Sequence, residues 1–132
     1  MDWITSSIAI GNFVDAESAS ESDLDAILCL KEGCCDERDR RFLIFCVPLV
    51  DGAGNASDMF DDAVDFIDDV VSDGERILVH CHAGRSRSVC IVARYLMTRN
   101  GMSRDQALSL IGEKRDIYLS PGIEEILAFS SR

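Results

Sequence analysis

Apolar residues come in short clusters along the chain, and their spacing changes from one cluster to the next. Ile8-Ala9-Ile10, Ala26-Ile27-Leu28-Cys29-Leu30, Leu43 to Val47 and Ile77-Leu78-Val79 are runs of three to five. Runs this short and continuous suit strands buried on both faces, as in a parallel sheet. The first is closed by Gly11-Asn12, and Pro48 stops the third because proline cannot donate to a ladder. Elsewhere the period lengthens. Phe60, Val64, Ile67, Val70 and Val71 recur at helical spacing from Asp58, and Asp73-Gly74 offers a stop. Asp15 to Ser20 predicts a short helix, and Val89 to Thr98 a longer one. Ser103 with Gln106 forms a capping box for a helix to about Lys114. Ser120-Pro121 reads as an N-cap with proline at the first helical position, opening a last helix to about Ser130. Gly33 to Arg41 and Gly52 to Ser57 are loops. This alternation predicts an α/β fold, with a central sheet flanked by helices.

Length and charge narrow the class. The 132 residues fit one domain, 1–132, with a substantial core. The formal net charge of −11 opposes nucleic-acid binding and a polybasic membrane anchor. Asp supplies 16 of the 24 acids and Lys only two of the 13 cations, which describes a solvated acidic surface rather than a ligand set. Asp61, Asp62, Asp65, Asp68 and Asp69 share the polar side of one helix but lack the glycine-bearing loop of calcium sites. No apolar stretch is long enough to span a bilayer, so a soluble, cytoplasmic protein is expected. Six cysteines include no CxxC pair. Cys29, Cys46 and Cys90 lie in apolar runs and Cys34-Cys35 are adjacent, so free thiols in a reducing compartment are expected.

The chemistry concentrates between Val79 and Ser88. Here a buried strand passes into His80-Cys81-His82-Ala83-Gly84-Arg85-Ser86 and then into a helix. A strand–loop–helix junction aims backbone N–H groups and the positive end of a helix dipole at one point, which suits an anion. Gly84 lets the loop curl, and Arg87 can lay a two-pronged guanidinium across a phosphoryl group. His82, Ala83, Gly84, Arg85, Ser86 and Arg87 are therefore the expected phosphate-binding set. Cys81 sits in the same positive field, where a thiolate nucleophile is favoured. His80 is expected to support it, and Ser88 to donate to the sulfur as it departs. A general acid for the leaving oxygen is best sought in Asp51, in the glycine-rich loop after the third apolar run; Asp58, Asp61 and Asp62 compete. A metal site from His80, Cys81 and His82 is disfavoured because successive residues point in different directions.

The segment fits His-Cys-x-x-Gly-x-x-Arg-Ser, the loop of cysteine-based protein tyrosine phosphatases. At about 5% usage per residue type, five fixed positions would coincide in such a chain roughly once in 25,000. Phe66-Ile67, Leu78-Val79-His80, Ala93-Arg94-Tyr95-Leu96-Met97, Ala107, Arg115 and Pro121 resemble the dual-specificity branch. The likeness runs from about residue 8 to 130. It implies a four- to five-stranded, mostly parallel sheet, no cofactor and no metal, and a catalytic-domain-only protein. It also implies the Cys81, Arg87 and Asp51 roles given above, with phosphoproteins or phosphopeptides as substrates. Two departures stand out. Gly122 replaces the Asn that follows Pro121 in many relatives, which predicts a lost polar contact. Arg85 stands where relatives carry a small or apolar residue, so it either reaches a second phosphate, as in a phosphoinositide or other polyphosphate, or is solvated or acid-paired. A non-catalytic phosphate-binding adaptor is the third alternative.

Overall fold

The computed structural model describes residues 1–32 and 41–128. Its strands are β1 (Asp2–Trp3), β2 (Ile8–Gly11), β3 (Ala26–Cys29), β4 (Leu43–Cys46) and β5 (Ile77–His80). Its helices are α1 (Phe13–Glu17), α2 (Ser57–Ser72), α3 (Arg87–Arg99) and α4 (Arg104–Lys114), followed by a 3-10 helix at Ile123–Leu127. The strands form one sheet in the order β1-β2-β5-β3-β4. Only β1 runs antiparallel to its neighbour; the other pairs are parallel. The expected α/β architecture is observed, with β1 as a strand the sequence did not signal.

The side chains of β2, β3 and β5 are wholly buried, as their continuous apolar runs require. Alternation sorts them between two cores. Ile8, Ile10, Leu28, Ile77 and Val79 pack under α2, α3, α4 and the 3-10 helix, with Ile67, Ile91, Leu96 and Ile111. Ala9, Ile27 and Leu78 point the other way, toward Ala19, Leu24 and Phe42. Each fully buried Leu or Ile contributes about 1.5–3 kcal/mol of transfer free energy, so the larger layer dominates stability. Strand β4, at the edge, stays partly exposed.

Helix boundaries match the sequence pattern at α2, α3 and α4, and the Ser103–Gln106 box is formed. Three expectations need correction. Helix α1 begins earlier than Asp15, because Asn12 caps it and Asp15 closes the capping box from inside. The last helix does not start at Ser120-Pro121. Gly122, at φ 87°, breaks the turn, and only a 3-10 helix follows from Ile123. Cys29 is disulfide-bonded, whereas Cys81 and Cys90 are thiols. A hydrophobic run cannot separate a buried thiol from a buried disulfide sulfur, since both pack as apolar groups. The expected loop from Gly33 and the residues beyond Ala128 lie outside the described residues, as do Cys34 and Cys35. Among the described residues no helix is long and apolar enough to cross a membrane.

Candidate active site

Strand β5 lies at the centre of the sheet, between β2 and β3. Its carboxyl end delivers the chain into residues 81–86 and then into α3, and ligands of parallel sheets gather at such strand ends. The curl of this loop depends on Gly84, which adopts φ 69°. A Cβ there would lie 2.5 Å from the carbonyl oxygen of Gly11, so the loop rests directly on the end of β2. Gly84 thus shapes the turn that forms this loop.

A cavity of about 690 Å³ opens over the loop. Cys81, His82, Ala83, Arg85, Ser86 and Arg87 line it, and Leu49, Val50 and Asp51 face them from the loop after β4. Cys81 is only 2% exposed. Its Sγ lies 3.3 Å from the hydroxyl of Ser88, which is itself buried behind the cavity. His80 is buried too, and its Nδ1 stands 3.3 Å from the carbonyl oxygen of Cys81, a contact that calls for the Nδ1–H tautomer. Burial pushes the His80 pKa below its ordinary value, so the ring is neutral. Through Nδ1 it meets the Cys81 backbone. His82 stacks on Phe13 at 5.0 Å between ring centroids and is otherwise exposed.

Arg87 bridges the two sides of the cavity: its Nη1 donates to the carbonyl of Leu49 at 3.1 Å. Its Nε is buried with no hydrogen-bond partner among the described residues, an energetically costly state. The start of α3 is likewise open to an anion. Ser86 occupies the N-cap position but makes no cap hydrogen bond. Its hydroxyl donates instead to Asp51 Oδ1 at 2.7 Å, which leaves first-turn N–H groups of α3 uncapped.

Asp51 is therefore at the cavity, as expected, while its competitors are not. Asp58 and Asp61 lie on α2, with Asp61 paired to Arg94 at 3.2 Å, and Asp62 lines a separate groove with Phe45 and Phe66. Asp65 and Asp68 pair with Arg99, so much of this acidic face is tied to α3. Arg85 is exposed at the cavity mouth and makes no ion pair among the described residues. Burial raises the Cys90 pKa to about 12, which keeps it a thiol and makes it a core residue rather than a reactive partner for Cys81.

Tyr118, Ser120 and Lys31 also line the cavity, and sequence reasoning missed all three. Tyr118 is 60% exposed and its N–H donates to the carbonyl of Arg85 at 2.9 Å. The aromatic residue in Ile117-Tyr118-Leu119, just before Ser120-Pro121, was the available signal. Gly122 explains the missing Asn differently from the expected lost contact. A Cβ at Gly122 would lie 2.9 Å from the nitrogen and Cβ of Ala53, so the Asp51 loop packs where a side chain would sit.

A family model described as the dual specificity phosphatase catalytic domain matches residues 9–129. Dual specificity protein phosphatase 1-A of Xenopus laevis is 33% identical over 113 residues, covering 83% of this chain and 30% of that protein. The chain thus spans about a third of that relative's length. The crystal structure of human DUSP28 covers 96% of this chain and 92% of its own, with a TM-score of 0.86 at 21% identity. The structure of PTPMT1 in complex with PI(5)P covers 94% of this chain and 89% of its own, with a TM-score of 0.77 at 20% identity. At those identities the two structures establish a shared fold.

Proposed function

From the premise that this chain belongs to the dual-specificity phosphatase catalytic-domain family, we propose that it hydrolyses phosphomonoesters through a phosphocysteine on Cys81, with phosphoproteins as substrates. The observation that carries this reading is that Cys81, Asp51 and Arg87 line one cavity, with the Ser88 hydroxyl against the Cys81 sulfur. The phosphoryl oxygens lie against the loop N–H groups and Arg87, which gather negative charge as the transition state forms. The Cys81 thiolate attacks phosphorus in line. The phosphorus–oxygen bond to the leaving group breaks as Asp51 gives that oxygen its proton. Water then attacks the phosphocysteine, Asp51 takes up a water proton, and the sulfur leaves as thiolate with the Ser88 hydroxyl donating to it. The products are free hydroxyl and inorganic phosphate, and Asp51 ends protonated for the next turnover. Exposed Val50 and Tyr118 at the mouth supply apolar surface for the group that bears the phosphate.

Turnover of p-nitrophenyl phosphate and of phosphotyrosine, phosphoserine and phosphothreonine peptides tests the proposal. Wild type should release phosphate and form an acid-stable phosphoenzyme in rapid quench, and Cys81→Ser should do neither. Retained turnover in Cys81→Ser would sink the mechanism. Tight phosphopeptide binding with no turnover by wild type would transfer the reading to a phosphate-binding adaptor.

Arg85 favours a second reading, in which a polyphosphorylated substrate such as a phosphoinositide is taken by the same chemistry. Its exposed guanidinium, which makes no ion pair among the described residues, stands at the mouth, where a second phosphate could meet it. Arg85→Ala should then lower kcat/KM on a phosphoinositide more than on a singly phosphorylated peptide; equal effects would remove the reading.

A further inference from the structure

Ser120 and Pro121 resemble a helix start, yet the Ser120 side chain caps no helix. Its hydroxyl donates to Asp51 Oδ2 at 2.7 Å. Its backbone N–H donates to the hydroxyl of Ser86 at 3.0 Å, and that hydroxyl donates on to Asp51 Oδ1 at 2.7 Å. The three residues close a ring in which both carboxylate oxygens are held. The terminal torsion of Asp is soft, so one hydroxyl would leave the carboxyl plane free to swing, whereas two fix it. Each oxygen keeps a second lone pair on which a proton can face the cavity.

The same stretch of chain supports the loop behind Asp51. Gly54 N–H and Asn55 N–H both donate to Glu125 Oε1, at 2.7 and 3.2 Å. Ala53 packs against the bare Cα of Gly122. Asn55 braces the loop internally, accepting from Val50 N–H at 2.7 Å and donating to the Val50 carbonyl at 2.9 Å. Residues 120–125, together with Ser86 and Asn55, thus set both the position and the orientation of the carboxyl group.

We propose that Ser120 is a positioning residue for proton transfer by Asp51, aiming the carboxyl group at the leaving oxygen without touching the reacting atoms itself. The inference rests on the reading of Asp51 as the general acid given above. Misdirecting the acid weakens protonation most where the leaving group needs it most. Esters of acidic phenols depart unaided, while esters of phenol itself do not.

The experiment measures kcat/KM, which reports phosphocysteine formation, on aryl phosphates graded from p-nitrophenyl to phenyl. Wild type should depend weakly on the leaving group and Asp51→Asn strongly. Ser120→Ala should lose about ten-fold on phenyl phosphate and less than about two-fold on p-nitrophenyl phosphate. Ser120→Thr, which keeps the hydroxyl, should restore most of the loss. In an Asp51→Asn background Ser120→Ala should cost nothing further. Equal losses on both esters, or no rescue by Ser120→Thr, would make Ser120 a structural tie and overturn the inference. A weak leaving-group dependence in Asp51→Asn would instead overturn the general-acid reading on which it stands.

Discussion

The loop bearing Cys81 and the loop bearing Asp51 line the same cavity, but different parts of the chain hold them. Cys81, Gly84, Ser86, Arg87 and Ser88 fall within eight consecutive residues, anchored by the end of β5 and the start of α3. Asp51 takes its place from Ser86, Ser120, Gly122 and Glu125, with sequence separations of 35 to 71 residues across the two loops' hydrogen bonds. The surroundings of Cys81 are thus built by near neighbours, whereas the Asp51 carboxyl group is aimed by remote ones. If Asp51 and Cys81 act as proposed, the difference implies that substitutions far from the site can detune proton transfer while leaving the proposed phosphate cradle intact, and the reverse should be rare.

The strongest way to break this contrast is Arg87→Lys, because Arg87 belongs to the cradle and also bonds the carbonyl of Leu49. An ammonium cannot span both roles, so kcat/KM on p-nitrophenyl phosphate should fall by about 10²–10³ with every leaving group affected alike. Gly84→Ala tests the cradle's own geometry. The new methyl would meet the Gly11 backbone at a positive φ, so stability in urea should drop by about 2 kcal/mol and activity by about ten-fold or more. Gly122→Ala sharpens the contrast from the other side. Its methyl would push on Ala53, and the expected loss is about five-fold on phenyl phosphate, with p-nitrophenyl phosphate nearly unaffected. Uniform losses on both esters would mean that Gly122 serves the cradle as well.

The smallest effect concerns pH. Buried His80 resists protonation in the folded protein, while in the unfolded chain it titrates near 6.5. The unfolded state then binds more protons, so His80's contribution is fully present above pH 6.5 and is lost as pH falls toward the lower folded value. The slope is on the order of 1 kcal/mol per pH unit. Urea unfolding at pH 7.5 and 5.5 should show a steeper loss for wild type than for His80→Gln. Parallel losses would mean that His80 is protonated in the native state.

Legibility followed the same division. Cys81, Arg87 and the buried Ser88 were readable because the motif, the strand before it and the helix after it are contiguous. Asp51 was readable only as a glycine-rich loop after a strand, and its rivals Asp58, Asp61 and Asp62 were set aside by the course of α2. Ser120 was misread. A serine before proline has the composition of an N-cap, and nothing local reveals that its hydroxyl meets a carboxylate 69 positions away. Arg85 was located in the loop, but its lack of an acidic partner among the described residues depended on how the flanking segments pack.

The sequence by itself determined the α/β layering, the strand–loop–helix junction and the place of Cys81 in it. These follow from hydrophobic period and from backbone geometry that acts over a few bonds. The tertiary structure decided which carboxylate faces Cys81, which way its oxygens point, and that Tyr118 and Arg85 stand at the mouth. Those features depend on how the loop after β4 and the segment before the 3-10 helix meet across the sheet's carboxyl edge. That meeting is fixed by packing between distant elements and by hydrogen bonds that no local pattern encodes.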